Sequence, residues 1–182
     1  SRARTEATGY GNTYFVQAVL ATRGQSFEGR NFFFNDTATT EIYTMEKIRE
    51  FGGTIVACSD SNGYVVDENG IDLDLLKEIK EVRRARISEY YRLRGTGTHY
   101  IEKGSIWDVA CDVAMPSATQ NEISGRDARE LVKNGVVAVG EGANMPSTPE
   151  AVRVFQEAGV LFAPGKAANA GGVATSALEM QQ

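Results

Sequence analysis

Asp60, Lys80 and Arg83 are of residue types that could together recognise a phosphorylated sugar. Asp60 follows a continuous apolar run at residues 54–58 after one serine, at the place where a nucleotide-binding strand presents an acid to a ribose. Lys80 and Arg83 lie at the far end of a predicted helix further along, and such cations pair with phosphate. Two simpler interpretations stay open from these residues alone: Asp60 as a turn aspartate before an Asn-Gly pair, and the two cations as a solvated helix end.

The residues before Asp60 predict a strand–helix–strand unit. The apolar run 32–34 and the run 54–58 predict two buried strands, and residues 41–52 carry apolar side chains at helical spacing between them. In a nucleotide-binding unit the first turn is rich in glycine, so that a phosphate can lie against backbone at a helix N-terminus. Here that turn, residues 35–40, contains no glycine. The frame of the unit is therefore predicted without its usual phosphate-binding turn.

Further strands and helices alternate along the chain. Short apolar or strand-like runs predict strands at 64–66, 107–114, 136–139 and 160–163. Helical spacing and caps predict helices at 72–82, at 127–134 and from 148 onward, and residues 92–98 read as a loop. Continuous apolar strands with short connections are typical of a parallel sheet. We therefore predict an α/β fold: a Rossmann-like, doubly wound, mostly parallel sheet with helices on both faces, formed by one domain over residues 1–182.

Polar segments follow each predicted strand that would belong to the parallel sheet. They are residues 36–40, 59–61, 117–121, 141–144 and 164–172. In an open parallel sheet, ligands bind outside the carboxyl ends of the strands. The sequence thus predicts a binding site at this edge, although strand ends are also where polar loops must lie.

Composition excludes some classes of function. The 182-residue chain has a net charge of −5, which argues against a nucleic acid or an anionic membrane as partner. No apolar run is long enough to cross a bilayer and no signal peptide opens the chain. Cys58 and Cys111 both lie in predicted strands and are interpreted as buried, reduced thiols of a cytoplasmic protein. His99, the only histidine, is predicted to be a surface or structural residue, and no cysteine–histidine cluster predicts a metal site.

Several longer motifs resemble the cofactor domain of the glutamate dehydrogenases, in particular the NADP-using members of the hexameric, small-subunit class. The motifs cover nearly the whole chain: RTEATGYG at 4–11, SDSNG at 59–63, residues 72–86, PSATQNE at 116–122, EGANMPSTP at 141–149 and FAPGKAANAGGVATS at 162–176.

This resemblance implies reversible oxidative deamination of glutamate to 2-oxoglutarate and ammonia, with NADP in preference to NAD, in a homo-hexamer. It also implies site residues. Thr8 matches a threonine at the nicotinamide end, Asp60 and Ser61 lie where the adenosine ribose and its 2′-phosphate are read, and Lys80 and Arg83 are phosphate partners. Ala118 and Asn144 match residues that line the nicotinamide and its ribose, and Ser176, with Val173 beside it, matches the serine that holds the glutamate side chain.

The sequence departs from the family in its extent. The family's catalytic lysine and aspartate lie in an N-terminal substrate domain that this sequence does not include, and the chain ends before the C-terminal helices that return to that domain. We therefore assign no catalytic residue and expect no turnover of glutamate by this fragment alone.

The turn is the second departure. The family has Gly-Ser-Gly-Asn where this chain has Asp36-Thr37-Ala38-Thr39. Residues 35–44 match the translation of a common sequencing-library adapter in one frame, which indicates a foreign segment replaced in register. Side chains then stand where backbone should approach a pyrophosphate, and Asp36 adds a negative charge. Two alternatives remain: a leucine, phenylalanine or valine dehydrogenase of the same superfamily, or a non-catalytic nucleotide-binding or interaction module.

Overall fold

A computed structural model of the protein describes residues 13–35, 37, 39–118 and 120–165. It contains a seven-stranded sheet. The strands, numbered in chain order, are β1 (Asn31–Asn35), β2 (Thr54–Asp60), β3 (Gly63–Asp67), β4 (Thr98–Glu102), β5 (Val113–Pro116), β6 (Ala138–Gly140) and β7 (Leu161–Ala163).

The helices connect these strands. They are α1 (13–21), α2 (Thr39–Glu50), α3 (Leu73–Lys77), which continues as a π-helix over Glu78–Val82, α4 (Ser88–Arg94), a 3₁₀ turn over Ile106–Asp108, α5 (Gly125–Lys133) and α6 (Pro149–Glu157). Capping residues fix several starts. Ser124 and Asp127 form a capping box at α5, and the Thr148 hydroxyl accepts the Ala151 N–H at the start of α6.

The sheet order is β4-β3-β2-β1-β5-β6-β7. The five strands from β2 to β7 in that order pair in parallel, whereas β3 and β4 are added antiparallel at one edge. The two faces of β1 divide the core. Phe32 and Phe34 pack with α1, α2 and α3 on one face, and Phe33 packs with α5 and α6 residues on the other. The predicted fold class, a mostly parallel sheet with helices on both faces, is confirmed.

Two predicted elements differ in the structure. Residues 92–98 are not a loop: they hold the end of α4, which buries Tyr90, and the start of β4, whose mixed polar sequence has no apolar run to indicate an edge strand. The predicted strand at 107–114 begins only at Val113, because Ser105 caps a 3₁₀ turn that buries Trp107. Cys111 is therefore buried in a connection and not in a strand, while Cys58 lies buried in β2 as predicted.

Candidate functional site

The carboxyl ends of β2, β1, β5, β6 and β7 lie at one edge of the sheet. From β1 the chain moves outward to β2 on one side and returns to β5 on the other. This reversal beside the central strand opens the crevice where doubly wound sheets bind their ligands. Within the described residues, the polar segments that follow these strands meet at this edge, as predicted.

Asp60, at the end of β2, is held by backbone donors. Its Oδ1 accepts the Asn62 N–H at 2.9 Å and its Oδ2 accepts the Ile87 N–H at 2.8 Å. Lys80 Nζ lies 3.7 Å from Oδ2, and the Asp60 side chain is only 7% exposed. Asp60 therefore anchors the start of α4 to the end of β2, in addition to any contact with a ligand.

An open, cationic cavity of about 610 Å³ lies beside this carboxylate. It is lined by Lys80, Glu81, Arg84, Ala85 and Arg86. Arg86 Nη1 donates to the Ser61 hydroxyl at 2.7 Å, and this bond brings the second guanidinium of the cavity to the strand end. Two guanidinium groups and one ammonium group outweigh the carboxylate of Glu81 in this lining, and both types of cation can donate charge-assisted hydrogen bonds to phosphate.

Arg83 is the predicted phosphate partner that the structure does not bring into this cavity. Its Nη2 lies 3.7 Å from Glu78 Oε1, on an exposed part of the surface. The π-helix ends at Val82, and Arg84 then adopts a left-handed backbone conformation with φ of 52°. This path turns Arg84 and Arg86 toward the cavity. Arg84 and Arg86 were therefore missed as site residues, although the cluster of basic residues at the helix end was visible in the sequence.

The turn after β1 is described at Thr37, which stands where the family has serine. Thr37 is 2% exposed, and the hydroxyl of Ser59 on β2 donates to the Asn35 carboxamide at the end of β1. Asp36 and Ala38, which stand where the family has glycine, lie outside the described residues.

The loops after β5 and β6 carry the two other described candidates. Ala118 is exposed, and its N–H donates to Glu122 Oε1 at 2.9 Å. Asn144 is exposed near the middle of the loop that follows β6. The loops are joined, because the Asn121 N–H donates to the Met145 carbonyl at 3.1 Å. Ala118 and Asn144 thus stand on neighbouring, hydrogen-bonded loops, whereas Thr8, Val173 and Ser176 lie outside the described residues.

Glu141 is a residue of this edge to which sequence reasoning gave no role. It directly follows β6, is 4% exposed and accepts two backbone N–H groups. Burial raises the pKa of this carboxyl above its ordinary value, and the N–H donors from Gly165 and Ser147 oppose that rise. Its place at a strand end was the only sequence signal.

Other sites are not indicated. In the part of the chain that the structure describes, no three histidine, cysteine or acidic residues are grouped to hold a metal ion. None of the helices in that part is long and apolar enough to cross a membrane. His99 lies on the surface of β4, with its side chain 60% exposed and Nε2 3.1 Å from Glu68 Oε1, as predicted for a surface residue.

The sheet order and the crevice at its carboxyl edge define a Rossmann-like, doubly wound α/β protein. The family model described as Glutamate/Leucine/Phenylalanine/Valine dehydrogenase matches residues 1–182. The chain therefore belongs to that family.

Characterised relatives are glutamate dehydrogenases. The whole chain is 54% identical to part of the glutamate dehydrogenase of Bacteroides thetaiotaomicron and 49% identical to part of the NADP-specific enzyme of Escherichia coli. In each case the chain spans 41% of the relative's length. The solved glutamate dehydrogenase of Plasmodium falciparum superposes with a TM-score of 0.87 at 40% identity, and covers all of this chain with 39% of its own.

Proposed function

We propose that residues 1–182 are the cofactor-binding domain of an NADP-dependent glutamate dehydrogenase. The whole enzyme would convert glutamate reversibly to 2-oxoglutarate and ammonia. The observation that carries this proposal is the cationic cavity beside Ser61, in a chain 49% identical to an NADP-specific relative. The nicotinamide supplies the hydride acceptor, and the protein's part is to bind, orient and exclude water.

The adenosine end of the cofactor fits the cavity. A 2′-phosphate is a dianion, and Lys80, Arg84 and Arg86 surround the open space with positive charge. Ser61 adds a hydroxyl at the strand end, within 2.7 Å of Arg86. NAD lacks this phosphate and would place no anion among these cations, so the arrangement supports NADP. Arg83 stays a predicted partner, although its guanidinium faces Glu78.

The nicotinamide end is assigned to the other loops of the same edge. Ala118 and Asn144 would line the nicotinamide and its ribose, with Thr8 as a further predicted contact. Val173 and Ser176 would hold the amino-acid substrate. The neighbouring positions of the loops after β5 and β6 support the first pair.

The pyrophosphate does not fit the turn after β1. Asp36 and Ala38 replace the two glycines of the family turn, and a glycine-free turn cannot bring backbone N–H groups against a pyrophosphate as a glycine-rich one does. 2′,5′-ADP carries the 2′-phosphate but no pyrophosphate. We therefore expect the unaltered chain to bind 2′,5′-ADP more tightly than NADPH. No catalytic step is assigned to residues 1–182.

A transplanted domain tests the proposed activity. The corresponding segment of the Bacteroides thetaiotaomicron enzyme is replaced by this chain, once unaltered and once with Asp36→Gly, Thr37→Ser, Ala38→Gly and Thr39→Asn. We expect NADP-dependent glutamate oxidation only from the restored version, and none from residues 1–182 alone. Activity of the unaltered graft equal to that of the restored graft would contradict the assigned role of the turn. Preference for leucine over glutamate would favour the other members of the family.

The assembly and location of the whole protein belong to the same proposal. We propose a homo-hexamer in the cytoplasm, with no nucleic acid or membrane partner. The free, buried thiols of Cys58 and Cys111 support a reducing compartment. The mass of the full-length protein in solution tests the hexamer.

A further inference from the structure

The Glu141 carboxylate joins two loops of the binding edge. Its Oε2 accepts the Ser147 N–H at 3.1 Å, and its Oε1 accepts the Gly165 N–H at 3.0 Å. Ser147 closes the loop that begins at Glu141 itself, and Gly165 follows β7. A single side chain, 4% exposed, therefore holds segments that leave two different strands.

The two segments are in direct contact. A Cβ atom on Gly165 would stand 1.9 Å from the Ala143 carbonyl oxygen, so only glycine allows this approach. The loop after β6 is fixed on its other side as well, since the Gly142 N–H donates to the Pro116 carbonyl at 2.9 Å. Asn144 stands between the two residues, Glu141 and Ser147, that close the loop. Its position therefore depends on the buried carboxylate beneath it.

A carboxylate is the side chain that this arrangement requires. It offers acceptors on both oxygens and no donor, and it meets two backbone N–H donors. A glutamine of the same size would offer one acceptor and turn an NH₂ group toward the other N–H, which would break that hydrogen bond. An aspartate is one methylene shorter and would reach less far toward both donors.

We propose that Glu141 is a positioning residue that holds the Asn144 loop and the start of the segment after β7 in one fixed arrangement, and so aligns the nicotinamide half of the site. This inference rests on the proposed cofactor function. Within the described part of the chain, the hydrogen bonds of Glu141 go to Ser147 and Gly165, whereas the adenosine-half candidates Ser61, Lys80 and Arg86 follow β2, on the other side of β1 in the sheet. Loss of its carboxylate should therefore affect one half of the cofactor and spare the other.

The test compares two ligands on the chain with the restored turn. NADPH reports on the whole cofactor, and 2′,5′-ADP reports on the adenosine half alone. We expect Glu141→Gln to weaken NADPH binding about tenfold, the effect of losing one buried hydrogen bond, and to leave 2′,5′-ADP binding unchanged. The matched control is Glu157→Gln, an exposed glutamate of α6, which should change neither affinity.

Several results would overturn the proposal. One is an unchanged NADPH affinity in Glu141→Gln, and a second is an equal loss of affinity for both ligands in that variant. A third is an equal affinity for NADPH and 2′,5′-ADP in the parent, the chain with the restored turn and Glu141 intact. If the parent bound neither ligand, the proposed cofactor function itself would fail. Amide hydrogen exchange on the unaltered chain gives a second measurement that needs no variant. The Ser147 and Gly165 amides should both be protected, and exchange of either one at the rate of an exposed amide would contradict the role of Glu141.

Discussion

Asp60 and Ile87 are joined by a hydrogen bond of 2.8 Å, from the Ile87 N–H to Asp60 Oδ2. This bond fixes the start of α4 against the end of β2, and the segment between the π-helix and α4 carries Arg84 and Arg86. The Asp60 carboxylate therefore holds in place the segment whose arginines line the cationic cavity. Asp60 neutralises part of the local charge through Lys80, 3.7 Å away, and it holds the backbone that presents the two arginines.

Replacement of Asp60 by alanine should lower both stability and anion affinity. The Ile87 and Asn62 N–H groups would lose their partner, and we expect the free energy of unfolding to fall by about 1–3 kcal/mol. Binding of 2′,5′-ADP should weaken as the arginine segment loosens. Urea unfolding and a calorimetric titration measure the two effects. Ser61→Ala is the control, since loss of the hydroxyl should weaken binding of 2′,5′-ADP without changing the urea midpoint of unfolding. Weaker binding with unchanged stability in Asp60→Ala would instead assign Asp60 to the ligand alone.

Arg86 and Arg83 provide a charge-matched comparison at the same helix end. Arg86→Ala should weaken 2′,5′-ADP binding about tenfold, because its guanidinium lines the cavity beside Ser61. Arg83→Ala should change it by about twofold or less, because Arg83 faces Glu78 and exposed pairs contribute little. Both affinities should fall as salt rises. AMP, which has no 2′-phosphate, should not distinguish the variants, and a larger loss from Arg83→Ala would reverse the assignment.

The parts of the fold with strong apolar patterns were predictable from the sequence. Phe32, Phe33 and Phe34 form a short apolar run typical of a strand buried on both faces, and residues 41–52 have helical spacing. The edge strand β4 was missed because one side of it pairs with nothing in the described sheet, so its sequence can stay polar. A local pattern of apolar residues indicates a strand only where the strand is buried. Because β4 is half exposed, its sequence carries no such pattern.

The site was predictable only as far as chain position determines it. Strand ends at one edge of a parallel sheet follow from topology, so Asp60, Ala118 and Asn144 could be placed there. Arg83 was chosen from the basic residues at the end of the predicted helix, where the sequence does not indicate which side chains face the strand end. The π-helix and the left-handed Arg84 change which cations face the cavity. The role of Glu141 depends on a buried contact with Gly165, 24 residues later, which no local pattern indicates.

Tyr90 should be the most stability-critical hydroxyl near the amino end of α3. It donates to Asp67 Oδ2 at 2.6 Å and accepts the Asp72 N–H at 2.8 Å. Asp67 is fully buried, and burial together with this hydrogen bond raises the pKa of Tyr90. Tyr90→Phe should cost about 1–3 kcal/mol in urea unfolding, since both partners lose a bond. Tyr91→Phe, at a 45% exposed position, should change it by about 0.5 kcal/mol or less. Equal costs for the two variants would contradict the importance of the buried network.

Glu141 should make the stability of the chain depend on pH in the direction opposite to that of most carboxylates. Burial raises the pKa of the folded-state carboxyl above its ordinary value of 4.5, so the folded chain retains this proton at a pH where the unfolded chain has released it. The stabilisation from this group is therefore fully present below about pH 4.5 and is lost as pH rises through the raised pKa. The glutamine of Glu141→Gln has no titrating proton, so the variant does not lose this contribution to its free energy of unfolding as pH rises. Urea unfolding of both proteins between pH 4 and 7 should thus show the free energy of the parent falling relative to that of the variant as pH rises. A parent that gains stability relative to Glu141→Gln over this range would mean that the Gly165 and Ser147 donors outweigh burial and lower the pKa.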